Sequence, residues 1–155
     1  MATKKHKRYY LQRSIKYLFI AWYWLTRPTT HGVKSVIFHK NKVLMVRLTY
    51  YPDTWTFPGG SVDKNETPIE AVKRETQEEV GLTLRNPKHV CNLHFNHAFK
   101  NDTVSVYKET VDTYDINTNN LEIAEGKWFP LNELPIMGEN TKKILASVIK
   151  NTTVF

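Results

Sequence analysis

The chain has 155 residues, 41% of them hydrophobic, which suits one domain with a packed core. Its net charge of +7 is uneven: residues 1–52 carry 11 of the 22 Lys and Arg and no acid, while residues 53–155 hold all 15 acids. A single cysteine, Cys91, excludes an internal disulfide, so a reducing, cytoplasmic setting is expected.

Residues 1–27 form a basic, aromatic-rich arm, distinct from the domain expected over 28–155. A signal peptide is disfavoured, because Lys16 interrupts the apolar run, Trp22, Tyr23 and Trp24 are bulky, and no A-x-A-like site follows. The run from Tyr17 to Leu25 falls far short of the ~20 apolar residues that a membrane span needs. What remains is an amphipathic helix with Leu11, Ile15, Leu18, Trp22 and Leu25 on one stripe. Packing against the domain or a second copy, giving a homodimer, is the more common use of such a stripe. Lys4, Lys5, Lys7, Arg8, Arg13 and Lys16 beside it also suit peripheral contact with an anionic membrane. The same basic patch would also suit RNA, but charge alone is a weak, non-specific signal of it.

Arg27-Pro28 closes the arm. His31–His39 and Lys42–Tyr50 read as two strands joined at Lys40-Asn41, a hairpin. Tyr51-Pro52-Asp53 breaks the chain before Trp55-Thr56-Phe57-Pro58-Gly59-Gly60, a short strand ending in two glycines. A helix follows. Thr67 serves as N-cap, Pro68 suits the first helical position, Glu70 completes a capping box and Gly81 supplies the stop. Within it Ile69, Val72, Thr76 and Val80 share a packing arc, and Glu75, Glu78 and Glu79 share the adjacent one. Clustered carboxylates repel one another by a few tenths of a kcal/mol per pair. On the acids alone, a solvated face and a site for a hard divalent cation read equally well.

Leu82–Arg85, Lys88–His97 and Thr103–Ile116 read as a run of antiparallel strands, with Cys91, Leu93 and Phe95 on the core side. His89, His94 and His97 lack the accompanying ligands of a zinc site and read as surface or substrate-lining. Leu121–Pro135 is a strand and loop, and Glu139–Lys150 a last amphipathic helix carrying Ile144, Leu145, Val148 and Ile149.

Gly60, Glu66, Arg74-Glu75-Thr76, Glu78-Glu79 and Gly81-Leu82 stand at the spacing G-x5-E-x7-R-E-U-x-E-E-x-G-U. Over these 23 positions, and in the preceding WTFPGG and the later WFPLNELP, the chain resembles a Nudix hydrolase. Only Thr76 departs, standing where a bulky aliphatic residue is usual.

The resemblance covers about residues 31–150 and implies an α/β fold, an α/β/α sandwich with a mixed β-sheet and the two helices on opposite faces. It also implies metal-dependent cleavage of the diphosphate linkage in a nucleoside diphosphate joined to a group X. By the same resemblance Glu75, Glu78, Glu79 and the Gly60 carbonyl would hold Mg²⁺ or Mn²⁺, Arg74 would orient Glu75, and Glu66 would be structural. Glu122, six residues before Trp128, is the candidate for a distal acid, with Glu125 the alternative. A Nudix-fold binding module without catalysis and an RNA 5′-end pyrophosphohydrolase are the competing readings. The intact box disfavours the first, and the absence of the glutamine of W-x-x-P-Q-G-G disfavours the second.

Overall fold

The computed structural model describes residues 29–97, 100–118 and 121–151. The amphipathic helix expected within residues 1–27 lies outside them. The order of elements is β1 (Thr29–His39), β2 (Lys42–Leu48), β3 (Tyr51–Thr56), α1 (Pro68–Val80), β4 (Lys88–His97), β5 (Lys100–Thr110), β6 (Ile123–Pro130) and α2 (Glu139–Lys150).

Strand β2 is the hub. Its four consecutive residues Val43–Val46 are fully buried, because both faces of the sheet are covered, and such a strand reads as a continuous apolar run rather than an alternation. One edge runs antiparallel to β6, from Lys42↔Pro130 to Leu48↔Ile123. The other edge is shared: Phe38↔Val43 and His39↔Lys42 join it to β1, and Val46↔Thr56 to Leu48↔Tyr51 join it to β3. The sheet therefore forks where β1 leaves β2.

Backbone from Pro58 to Val62 fills that fork. Val33 N–H donates to the Gly60 carbonyl, Ser35 N–H to the Pro58 carbonyl and Val62 N–H to the His31 carbonyl, each at 2.9 Å. On its far edge β1 runs parallel to β5, which pairs antiparallel with β4, so the sheet is mixed as expected.

The two helices cover opposite faces. Val33, Ile37, Leu44 and Val46 pack with Ala71, Val72 and Val80 of α1, and Val36, Val43, Met45 and Phe57 pack with Ile144, Leu145 and Val148 of α2. Helix α1 has the expected bounds and a complete capping box, with Gly81 left-handed at φ 70°. Its buried set is Ala71, Val72, Thr76, Glu79 and Val80, whereas Ile69, expected on the packing arc, is 42% exposed in the first turn. Ile149 of α2 likewise faces out.

Three expectations change. Residues 82–85 pair with no strand: Leu82 and Leu84 bury their side chains, while the Arg85 and Asn86 amides donate to the Glu109 carboxylate. Strand β5 stops at Thr110, and residues 111–118 cross the α1 face instead, where Asn117 N–H donates to the Val80 carbonyl and Trp128 Nε1–H to the Tyr114 carbonyl. Strand β3 begins already at Tyr51, with Pro52–Thr54 absorbed in the register shift opposite Arg47/Leu48. Proline is tolerated there because the irregularity asks for no ladder hydrogen bond. Cys91 is half-buried against the α2 cluster, its thiol 3.4 Å from Ser147 Oγ.

Candidate active site

The fork in the sheet brings Pro58–Gly60 against the acidic edge of α1. Gly59 adopts φ 129°, a region that favours glycine, and a Cβ there would fall 2.2 Å from the Val33 carbonyl oxygen. A Cβ on Gly60 would meet the Glu75 carboxyl carbon at 2.6 Å. The second glycine is thus the floor on which Glu75 lies.

Arg74 organises the acids. Its Nε and Nη2 both donate to Glu66, each at 2.9 Å, a bidentate pair. Its Nη1 donates to Glu75 Oε1 at 2.8 Å and approaches Glu78 Oε2 at 3.5 Å, and Nη2 also reaches the Ser61 carbonyl at 3.0 Å. Glu66 in turn accepts the Asp63 N–H. Chiefly because of the Arg74 hydrogen bonds, the Glu66 carboxyl is held down at about 2, and the Arg74 guanidinium is pushed further up from an already high value.

Glu79 is only 6% exposed and accepts the Gly59 N–H at 2.7 Å. Burial raises its proton affinity above the ordinary carboxyl range. Lys34 and the Gly59 N–H oppose that shift, while Glu75 and Glu122 add to it. Glu78 is more open, with 54% of its side chain exposed.

Thr76 is fully buried, and its hydroxyl lies 2.9 Å from Ser35 Oγ, which also donates to the Pro58 carbonyl. The polar substitution in the box is thereby satisfied from the strand it packs on.

The sequence-predicted residues fall into place unequally. Arg74, Glu75, Glu78 and Glu79 share one helix edge beside Gly60, whose carbonyl accepts from Val33 N–H and keeps a second lone pair. Glu122 starts the approach to β6, its backbone carbonyl bonded to Thr49 N–H, and its charge acts on both Glu79 and Tyr50. Glu125 instead pairs with Arg47 at 2.8 Å across β2 and β6. Among the described residues no three acids, histidines or cysteines are drawn together into a preformed metal cage. Glu75 and Glu79 are turned to Arg74 and Gly59. His89 pairs with Asn92 and His94 with Thr103, both exposed on β4.

Beside the glycine turn, on the α2 side, opens a cleft of about 620 Å³ lined by His31, Lys34, Tyr51, Trp55, Asp102 and Asn140 among others. Gly32, Lys34 and Ser61 belong both to its wall and to the surroundings of the glycine turn. The sequence reading missed Lys34. Its ammonium donates to the carbonyls of Phe57 at 2.8 Å and Gly59 at 2.7 Å, and desolvation lowers its proton affinity despite the nearby Glu79 and Glu75. One basic residue in an alternating strand carries no sequence signal for this, since the partners are carbonyls brought in by the fork. No helix among the described residues is long and apolar enough to cross a membrane.

The chain is similar to known proteins in sequence and in fold. The chain is 41% identical over 58 residues to an 8-oxo-dGTP diphosphatase of Buchnera aphidicola subsp. Schizaphis graminum, a match covering 36% of this chain and 45% of the relative. It is 49% identical over 51 residues to an RNA pyrophosphohydrolase of Hydrogenovibrio crunogenus, covering 33% of this chain and 31% of the relative. These curated matches thus span less than half of the relatives' length. Among solved structures, the MutT NUDIX hydrolase from Burkholderia pseudomallei superposes with a TM-score of 0.71 at 24% identity, covering 78% of this chain and 98% of that one. The NUDIX domain of Shewanella oneidensis NrtR, complexed with ADP ribose, gives 0.70 at 18% identity over 81% and 90%. The family model described as NUDIX domain matches residues 28–149, most of the chain, and the protein therefore belongs to the NUDIX family.

Proposed function

We propose that this protein is a metal-dependent hydrolase that cleaves the diphosphate linkage of a nucleoside diphosphate joined to a further group. The observation that carries this reading is the glutamate edge of α1 set on the Gly59-Gly60 turn beside a cleft of nucleotide size. The donor set is all oxygen: the Glu75, Glu78, Glu79 and Glu122 carboxylates and the second lone pair of the Gly60 carbonyl. That chemistry fits Mg²⁺ or Mn²⁺ and not a softer ion. A buried acid whose proton affinity is raised by desolvation, with the Glu75 and Glu122 carboxylates adding to it, is a further mark of a site built for a cation.

When bound, the ion neutralises charge on the diphosphate and acidifies a water for attack at phosphorus. The protein's own part is positional. Glu66 holds Arg74, Arg74 orients Glu75 over Gly60, and Glu79 fixes the Gly59 amide while keeping one oxygen for the site. Trp55 and Tyr51 give the cleft aromatic surface for a base, and Lys34 gives it positive charge for phosphate. A cytoplasmic setting accords with the single cysteine. For residues 1–27, packing on this domain or on a second copy is the proposed role, with peripheral membrane contact as the outcome that liposome co-sedimentation of the full chain against one lacking them would reveal.

A second reading, removal of phosphate from RNA 5′ ends, is favoured by the RNA pyrophosphohydrolase relatives and by the basic first 52 residues. One experiment separates the readings: purified protein with Mg²⁺ against nucleoside triphosphates, nucleotide sugars, ADP-ribose, dinucleotides and 5′-triphosphate or capped RNA, following released phosphate and nucleoside monophosphate. Turnover of a small nucleotide supports the first reading, and turnover of RNA alone supports the second. No turnover of any of them contradicts both and favours a binding module.

A further inference from the structure

The Gly59-Gly60 turn is gripped from both sides. Glu79 accepts the Gly59 N–H from the α1 side, and Lys34 donates to the Gly59 and Phe57 carbonyls from the cleft side. Lys34 Nζ thus spends two of its three donors on backbone that leads directly into Gly60. The same ammonium has the Glu79 and Glu75 carboxylates as its charged neighbours. Arg74 supplies the other nearby cation, but Arg74 is committed to Glu66, Glu75 and Ser61 on the outer edge of the helix. Lys34 is the cation on the inner edge, where backbone and carboxylates meet.

We propose that Lys34 is a positioning residue that fixes the glycine turn and, by its charge, sets how tightly the glutamate site takes a divalent cation. The two effects have opposite signs. Its hydrogen bonds hold the Gly60 carbonyl in register with the glutamates, which favours catalysis. Its positive charge competes with the divalent ion for the same carboxylates, which weakens metal binding and keeps release of the ion with its diphosphate product easy. A lysine that served only to fill and stabilise the fork would have no such divided effect.

This rests on the divalent-cation reading of the glutamates, and the test separates the two. Mn²⁺ binding to the full chain is measured directly by electron paramagnetic resonance of the free ion, for the wild type and for Lys34→Arg, Lys34→Gln and Lys34→Met. If the wild type binds no Mn²⁺, the reading of the site itself fails. If it does, Lys34→Gln, which keeps donors but loses charge, and Lys34→Met, which loses both, are expected to bind Mn²⁺ about fivefold more tightly, whereas Lys34→Arg stays close to wild type. In turnover, Lys34→Met is expected to lose about tenfold or more in kcat, with Lys34→Gln less affected. Should the uncharged variants be unstable alone, Mn²⁺ is expected to raise their Tm by more than it raises that of the wild type, because the ion replaces the missing charge. Unchanged or weaker Mn²⁺ affinity in Lys34→Gln and Lys34→Met, or a Mn²⁺-induced Tm shift no larger than that of the wild type, overturns the proposal.

Discussion

Lys34 and Glu79 hold the same glycine from opposite sides, the lysine at the Gly59 carbonyl and the glutamate at its amide, each at 2.7 Å. The pair ties strand β1 to helix α1 through a turn that neither element contains. Because that turn sits where β1 leaves β2, its geometry depends on the fork in the sheet and on both side chains together.

The two glycines of the turn are expected to respond differently to the same substitution. Gly59→Ala places a Cβ against the Val33 carbonyl at positive φ, so it should destabilise the fold by about 3 kcal/mol or more. In Gly60→Ala the atoms nearest the new Cβ are those of the Glu75 carboxylate, the end of a side chain that can swing away. Denaturant unfolding should show a modest loss for Gly60→Ala, of about 1 kcal/mol, while kcat falls by about a hundredfold because Glu75 is displaced.

Glu79 ties stability to pH. Burial places its folded-state pKa above the unfolded one, so the fold favours the protonated form. That contribution is complete below the unfolded carboxyl range and is lost as pH rises through the higher folded value. Glu79→Gln stays neutral and can still accept from the Gly59 N–H. In the absence of divalent ions at pH 7–8 it should raise stability by about 1 kcal/mol while abolishing turnover. A fall in Tm would contradict the sign argued here.

Glu66 works in the opposite direction. With its carboxyl held at about 2 by Arg74, its pairing stabilises the fold at neutral pH and is lost only as pH falls from the ordinary carboxyl range through about 2. Glu66→Gln should therefore flatten the acid limb of the stability curve. Through Arg74 it should also loosen Glu75, lowering kcat by about tenfold with little change in KM.

The legible part of this molecule lies where local rules and fixed spacing coincide. Helix α1 is bounded by Thr67, Pro68 and Gly81, and its ends are those the capping residues indicate. The grouping of Glu75, Glu78 and Glu79 on one edge follows from helical spacing alone, whereas the place of Arg74 beside Glu75 comes from the resemblance. Long-range pairing was not legible. The strand pattern at 82–85 comes from two buried leucines in an extended segment without a ladder, and Ile116 is apolar because it covers Gly126 rather than because it continues β5. Lys34 looked like one polar residue in an alternating strand, since its partners are backbone carbonyls that no side-chain pattern records. Ser35 was likewise invisible as the partner of Thr76.

The two candidate distal acids are expected to separate cleanly. Glu122 acts on Glu79 through its charge, whereas Glu125 is engaged with Arg47 on β2. Steady-state kinetics of Glu122→Gln should show a loss of about a hundredfold in kcat. Glu125→Gln, which breaks a partly exposed ion pair, should stay within about threefold of wild type and cost about 0.5 kcal/mol of stability. The reverse ranking would transfer the role to Glu125.

The glutamate edge of α1 is proposed to act on a diphosphate only through a divalent cation. Phosphorus NMR of a hydrolysed nucleotide substrate tests it most directly, with wild type, Glu78→Gln and Glu79→Gln compared in Mg²⁺ and in excess EDTA. Wild type in Mg²⁺ should convert the diphosphate resonances to those of its products, while the EDTA sample and both variants should leave them unchanged. Continued conversion in EDTA, or by a folded Glu79→Gln protein, would contradict the account.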